Sequence, residues 1–131
     1  MAADESYPED LRYHREHDWA RIDGDTATMG VTWYAQDSLG ELVHYEPPQE
    51  DARIEKDHTY GEVESVKAVS DLISPLSGRV VEVNQKVVDA PETVNEDPYG
   101  EGWLIRIELT DSAEVDELLD AEAYRKLIAE Q

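Results

Sequence analysis

Apolar and polar positions alternate with a period of two through most of the chain, and a helical period takes over only near the C-terminus. In "DWARIDGDTATMGVT", Trp19, Ile22, Ala27, Met29 and Val31 are apolar, and "DGD" at 23–25 separates them. That pattern predicts two strands joined by a hairpin turn. Thr32 is placed to cap a short helix, "WYAQDSL", which Gly40 is expected to end in a left-handed conformation. "ELVHYEPP" predicts a strand closed by Pro47 and Pro48, and "GEVES" and "AVSDLISP" predict strands on either side of Lys67. In "GRVVEVNQ", Val81 and Val83 are expected on one face, with Glu82 and Asn84 on the other. "APETVNEDPYGEG" reads as a long loop punctuated by Pro91, Pro98, Gly100 and Gly102, and "WLIRIELT" as a strong strand.

After that strand, Asp111 and Glu114 have capping-box spacing. Val115, Leu118, Leu119, Tyr124, Leu127 and Ile128 follow at helical intervals, with Asp120 placed to divide them into two short helices. The expected fold is therefore mainly β, with a short internal helix and a helical segment at about 112–129. Residues 1–10 read as a flexible tail and 11–131 as a single domain. "SLGELVHYE" at 38–46 echoes "LSGRVVEVN" at 76–84, which suggests two similar halves packed as a sandwich.

Composition narrows the function classes. A chain of 131 residues suits one domain with a modest core, built without Phe from Val, Leu, Ile, Ala, Tyr and three Trp. The lack of cysteine excludes disulfides, thiolate metal sites and a cysteine nucleophile. With 32 acidic and 11 basic residues the formal net charge is −21. Such a surface repels nucleic acid and anionic membranes, so neither is expected as a partner. Its self-repulsion is relieved by salt, and with seven Arg to four Lys the balance hints at a high-salt cytoplasm, an ordinary acidic protein being the alternative. "MAADESYPED" resembles neither a signal nor a transit peptide, which leads us to expect a cytoplasmic protein, and no apolar run is long enough to span a membrane.

Few residues offer catalytic chemistry. His14 and His17 have H-x-x-H spacing, but without further ligands they read as ordinary histidines rather than a metal site. Carboxylate pairs are inevitable among 32 acids and define no dyad. No serine sits in a nucleophile elbow, and there is no glycine-rich phosphate loop. The expectation is a non-enzyme. Lys67 is the exception: it lies in "SVKA", at the turn between two predicted strands, with Val66 and Ala68 beside it. A type I turn accepts these residues and would hold the amine out to solvent, as an acceptor for a group attached by another enzyme.

"GEVESVKAVSDLISPLSGRVVEVN" resembles the lipoyl-lysine segment of glycine cleavage system H proteins. "HDWARIDGDTATMGVTWYAQDSLGELV", "VNEDPYGEGWLIRIEL" and "LLDAEAYRKLI" are similar to further segments of that family, in the same order, over residues 11–128. The resemblance implies a lipoyl/biotinyl-type β-sandwich, the barrel-sandwich hybrid, with lipoate covalently attached to Lys67. It implies a carrier that receives an aminomethyl group from a PLP-dependent glycine decarboxylase and delivers it to a folate-dependent aminomethyltransferase. Dihydrolipoamide dehydrogenase would then reoxidise the arm, and a lipoate ligase or a lipoyl/octanoyl transferase would attach it. A monomer docking transiently on these partners is expected. Glu64, Ser65, Val66 and Ala68 would flank the modified lysine, with Glu64 read by the attaching enzyme. Asp18, Val31, Leu39 and Asp71 match positions around the family's arm-docking cleft, the two carboxylates as partners for the ammonium of the loaded arm.

The sequence departs from the family at several positions. Asp18 stands where Glu is usual, Trp33 where Asp is usual and His44 where Phe is common. Asp51 and Asp57 replace glycines at turns, where they are tolerated substitutes at positive φ. The alternatives to the carrier of glycine cleavage are an H-like lipoate relay and an interaction module that keeps the fold with Lys67 unmodified.

Overall fold

The computed structural model describes residues 4–131. In chain order its elements are β1 (Arg12–Tyr13), β2 (Asp18–Asp23), β3 (Thr26–Val31), α1 (Trp33–Leu39), β4 (Leu42–Glu46), β5 (Arg53–Ile54) and β6 (Thr59–Ser65). They continue with β7 (Val69–Ile73), β8 (Gly78–Val83), α2 (Gln85–Asp89), α3 (Thr93–Glu96), β9 (Ile105–Leu109), a 3-10 helix (Ser112–Glu117) and α4 (Ala121–Ala129). Six strands form one sheet in the order β1-β2-β3-β9-β8-β5, and three form a second in the order β4-β6-β7. Every pairing is antiparallel.

The alternation along the strands explains why the sheets stack. Met29, Val80, Ile105 and Ile107 of the larger sheet and Leu42, Tyr45, Val63 and Leu72 of the smaller one are buried in a single cluster. Each sheet thus contributes one apolar face to a shared interior. The result is the mainly β sandwich expected from the sequence, with a short internal helix and a helical C-terminus. The two echoing segments fall in different sheets, as β4 and β8. A second cluster of Tyr7, Leu11, Tyr13, Trp19, Ala121 and Tyr124 attaches α4 to the β1–β2 end of the larger sheet. Within it, the Tyr13 and Tyr124 rings stack with centroids 4.8 Å apart.

Several expectations need correction. The predicted tail spans residues 1–10, of which 1–3 lie outside the described residues. The rest is not a free tail: Tyr7 is buried, its ring lies edge-on 5.5 Å from that of Tyr124, and the Tyr13 hydroxyl donates to Pro8 O at 2.7 Å. A bulge between Val80 and Glu82 shifts the register of β8, so Val80 and Val83 face the core and Val81, expected beside Val83, does not join it. Asn84, expected on the same face as Glu82, lies just past the strand and is buried. Its amide donates to Glu101 O and Trp103 O, and its side-chain oxygen caps α2. The long loop expected at 90–102 contains α3. Gly40 has the positive φ expected of it (84°), but its ψ of −163° puts it in a region open essentially to glycine alone rather than in the left-handed helical one. At the 3-10 helix, Asp111 accepts from Ala113 N as a cap should, but Glu114 does not reach back. It binds Ser77 instead, through both N and Oγ.

Candidate functional site

Lys67 lies at the tip of the β6–β7 hairpin, exposed, with Val66 as the other central residue of the turn. Neither residue takes a positive φ. The primed turns that match strand twist are therefore excluded, and an ordinary turn splays the strands it joins. Ser65 compensates. Its N–H donates to Ala68 O at 2.7 Å, and its Oγ accepts from Ala68 N at 3.1 Å and from Lys67 N at 3.3 Å. The same Oγ lies 3.3 Å from Ala68 O, to which it donates. Ser65 is itself buried, so the staple is anchored from inside.

Beneath the turn is a backing made by distant segments. Val66 N donates to Glu41 O at 3.3 Å, tying the tip to the segment that follows α1. Asn95 of α3 fixes that segment: its Oδ1 accepts from Leu42 N at 2.9 Å, and its Nδ2 donates to Gly40 O at 2.9 Å and Gln36 Oε1 at 3.0 Å. The Lys67 stem lies against Gly40. A side-chain carbon on that glycine would stand 3.5 Å from Lys67 Cε and 4.0 Å from Nζ. Lys56, Lys86, Arg79, Arg106 and Arg125 all pair with carboxylates, whereas Lys67, like Lys126, Arg12, Arg15 and Arg53, makes no ion pair among the described residues. In a chain with 32 acids, that leaves its amine accessible.

The other candidate positions separate into surface and interior. Glu64, Val66, Ala68 and Asp71 are exposed, and Asp71 pairs in register with Glu62 while Glu64 pairs with Val69. Leu39 is half-buried against the main core, and Val31 is buried within it. Asp18 is not on an open surface, as a partner for an arm-borne ammonium would need to be. It is 2% exposed and accepts a 2.7 Å hydrogen bond from the Tyr60 hydroxyl. Burial holds its carboxyl well above the usual carboxylate range, and the Tyr60 hydrogen bond offsets this only in part. The sequence reading also missed Tyr60, Gln36 and Asn95. The bonds that give Tyr60 and Asn95 their roles span 42 and 53 residues, so no local pattern marks them.

The histidines at 14 and 17 serve structure. His14 Nδ1 accepts from Glu16 N, so Nε2 carries the proton and donates to Asp57 at 2.6 Å. That bond holds the Asp57 carboxyl below its ordinary value. Asp57 and Asp51 have φ of 72° and 70°, the positive values foreseen where glycine would be cheaper. His17, also at positive φ, lies 2.7 Å from the Tyr124 hydroxyl, which lies 2.8 Å from the Thr32 Oγ1 that caps α1. Burial lowers the His17 pKa. Helix α4 is thereby linked to α1, whose C-terminal end abuts Lys67.

Comparison with known proteins bears on the family of the chain. The profile of the family described as Glycine cleavage H-protein matches residues 11–131. A glycine cleavage system H protein from Carboxydothermus hydrogenoformans is 51% identical over 124 residues, covering 95% of each chain. One from Symbiobacterium thermophilum is 51% identical over 117 residues, 89% of this chain and 91% of that one. The crystal structure of a glycine cleavage system H protein from Mycobacterium marinum aligns with a TM-score of 0.86 at 41% identity, over 93% of this chain and 98% of that one. With the profile and the relatives each spanning nearly the whole sequence, the chain belongs to the glycine cleavage H-protein family.

Proposed function

We propose that this protein is the lipoyl carrier of the glycine cleavage system, with lipoate joined to Lys67 Nζ by an amide bond. The observation that carries the reading is the exposed, unpaired amine at the tip of a hairpin stapled by Ser65 and backed by Glu41. An attachment point for a covalent arm needs an accessible nitrogen on a rigid support, and Lys67 meets both requirements. Lipoate, when bound, supplies a dithiolane on a long flexible arm that can accept a reacting group and a pair of electrons. The chain's own residues position that arm and do no bond chemistry. Ser65 fixes the turn, Gly40 leaves room for the lysine stem, and Asn95 holds the segment beneath.

Asp71 is the carboxylate that supports recognition of an ammonium on the arm, since it is exposed on β7 close in sequence to Lys67. Asp18 supports the site from below, through Tyr60 on the strand that leads into the turn. Tethering keeps the carried group at high effective concentration as it passes between active sites. The partners in this reading are the PLP-dependent glycine decarboxylase, the folate-dependent aminomethyltransferase, dihydrolipoamide dehydrogenase and the enzyme that attaches lipoate. With a net charge of −21, their docking is expected to weaken as salt rises.

Reconstitution tests the reading. The acylated protein is mixed with the three purified partner enzymes, glycine, tetrahydrofolate and NAD, and NADH formation is followed. NADH that appears with the wild type and not with Lys67→Arg supports the carrier role. No NADH, with partners shown to be active on another H protein in the same salt, overturns it.

A further inference from the structure

Among the described residues the fold leaves three large apolar side chains exposed, all on the strands and turn of the sheet that carries Lys67. Val66 is 73%, Val69 60% and Val43 49% accessible. Their grouping follows from register. Glu64 and Val69 are cross-strand partners, so both point outward from the three-stranded sheet, while Val63 and Ser65 point inward. The irregularity between Leu42 and His44 places Val43 in a bulge opposite the same step of β6, also exposed. Outward bulges of this kind re-aim side chains next to functional sites. Glu41, Glu62, Glu64 and Asp71 lie among the valines, all exposed. Glu64, on the central strand, stands between Val69 and His44, its partners on either side, so the surface is apolar and acidic by turns, and Lys67 stands at its edge.

We propose that Val43, Val66 and Val69 form the anchor on which the enzyme that acylates Lys67 docks, through a mouth that sets apolar contacts among basic groups. The inference rests on the carrier reading above and deepens it. Arm length selects the occupant. A partner that works on the far end of an attached arm can stand off from the turn. The acylating enzyme must bring an activated acyl carbon to Nζ itself. The amide bond forms as the bond to the activating group breaks, and the ammonium gives up two protons to solvent and enzyme bases. An enzyme that encloses Nζ must also cover Val66, its neighbour in the turn, and Val69, two residues further on. Exposed apolar residues supply such an anchor, and the charges among them set register and encounter rate.

The test uses the full chain, a lipoate ligase, lipoate and ATP, and follows lipoylation by intact mass. Val66→Ser and Val69→Ser are each expected to raise KM for the protein substrate about tenfold, the loss of one anchoring side chain, with Val43→Ser smaller and kcat unchanged. The loss should persist at high salt, because apolar burial is not screened, while the effect of Glu62→Gln should fade there. Unfolding temperatures should not move, since these side chains are already in water. KM within twofold of wild type for the Val66→Ser/Val69→Ser double variant overturns the inference and leaves the carrier reading in place. A fall in kcat alone, or a loss seen only with the glycine decarboxylase, also overturns it, the latter by naming a different occupant. Failure of the wild type itself to be acylated removes both.

Discussion

Ser65→Ala isolates the staple that presents the lysine. The substitution removes one hydroxyl that accepts from Ala68 N at 3.1 Å and Lys67 N at 3.3 Å and donates to Ala68 O at 3.3 Å. A hydrogen bond contributes about 0.5–1.5 kcal/mol net, and distances this long belong at the low end. Ala68 and Lys67 are exposed, so water satisfies the freed N–H groups and no buried donor is orphaned. The expected loss is about 1–1.5 kcal/mol, a fall of ~4 °C in melting temperature for a domain of this size. The larger effect should be local. Amide exchange at Ala68 should quicken about tenfold, since 1.4 kcal/mol is a factor of ten in an equilibrium. Lipoylation should slow about threefold to tenfold, because the amine is less well placed for in-line attack. Ser65→Thr keeps the oxygen and should recover both. Thermal unfolding, hydrogen exchange and an acylation time course read the three quantities. Unchanged exchange at Ala68 together with unchanged lipoylation in Ser65→Ala would refute the reasoning.

Further outcomes follow from the same geometry. Gly61→Ala on β6 would place a carbon 2.7 Å from Glu46 O, a backbone atom that cannot yield cheaply. It should cost about 2–3 kcal/mol, measured by denaturant unfolding in high salt, and a cost below 0.5 kcal/mol would contradict the packing described. Asp18 has a folded-state pKa above its unfolded value, so the native state binds the extra proton and stability falls as pH rises from the unfolded pKa of about 3.9 towards the folded one. Asp18→Asn should therefore gain on the wild type across that window and keep a constant difference above it; a stability difference that does not vary with pH would sink this account of Asp18. Asp71→Asn should leave stability within about 0.5 kcal/mol, since the side chain is exposed, yet shorten the lifetime of the aminomethyl-loaded protein. An unchanged lifetime would remove Asp71 from the site.

The strands that carry Lys67 were legible because their alternation is regular. "GEVES" and "AVSDLISP" became β6 and β7, and the turn between them took no positive φ, as its lack of Gly or Asn requires. Asp51 and Asp57 could be foreseen at positive φ because the family resemblance places glycine there. What escaped was set by contacts between distant residues. Asp18 reads as one more surface acid until Tyr60 is known to cover it. Asn95 reads as a loop residue, yet it holds the segment under the lysine. Tyr7 sits among acids that suggest a tail, and only the tyrosine cluster it joins explains its burial. The bulge in β8 put Val80 rather than Val81 at the core with Val83, and a one-residue shift of that kind leaves no trace in an alternating sequence. The strands β1 and β5 are two residues long, too short for any period to show.

The central claim is that Lys67 is the attachment point of a carrier. Intact mass after incubation with a lipoate ligase, lipoate and ATP tests it most directly, with the wild type beside Lys67→Arg. The account predicts a gain of a single lipoyl group in the wild type and none in the variant. No gain in the wild type, with a ligase shown to be active on another acceptor in the same salt, or an equal gain in Lys67→Arg, would contradict it.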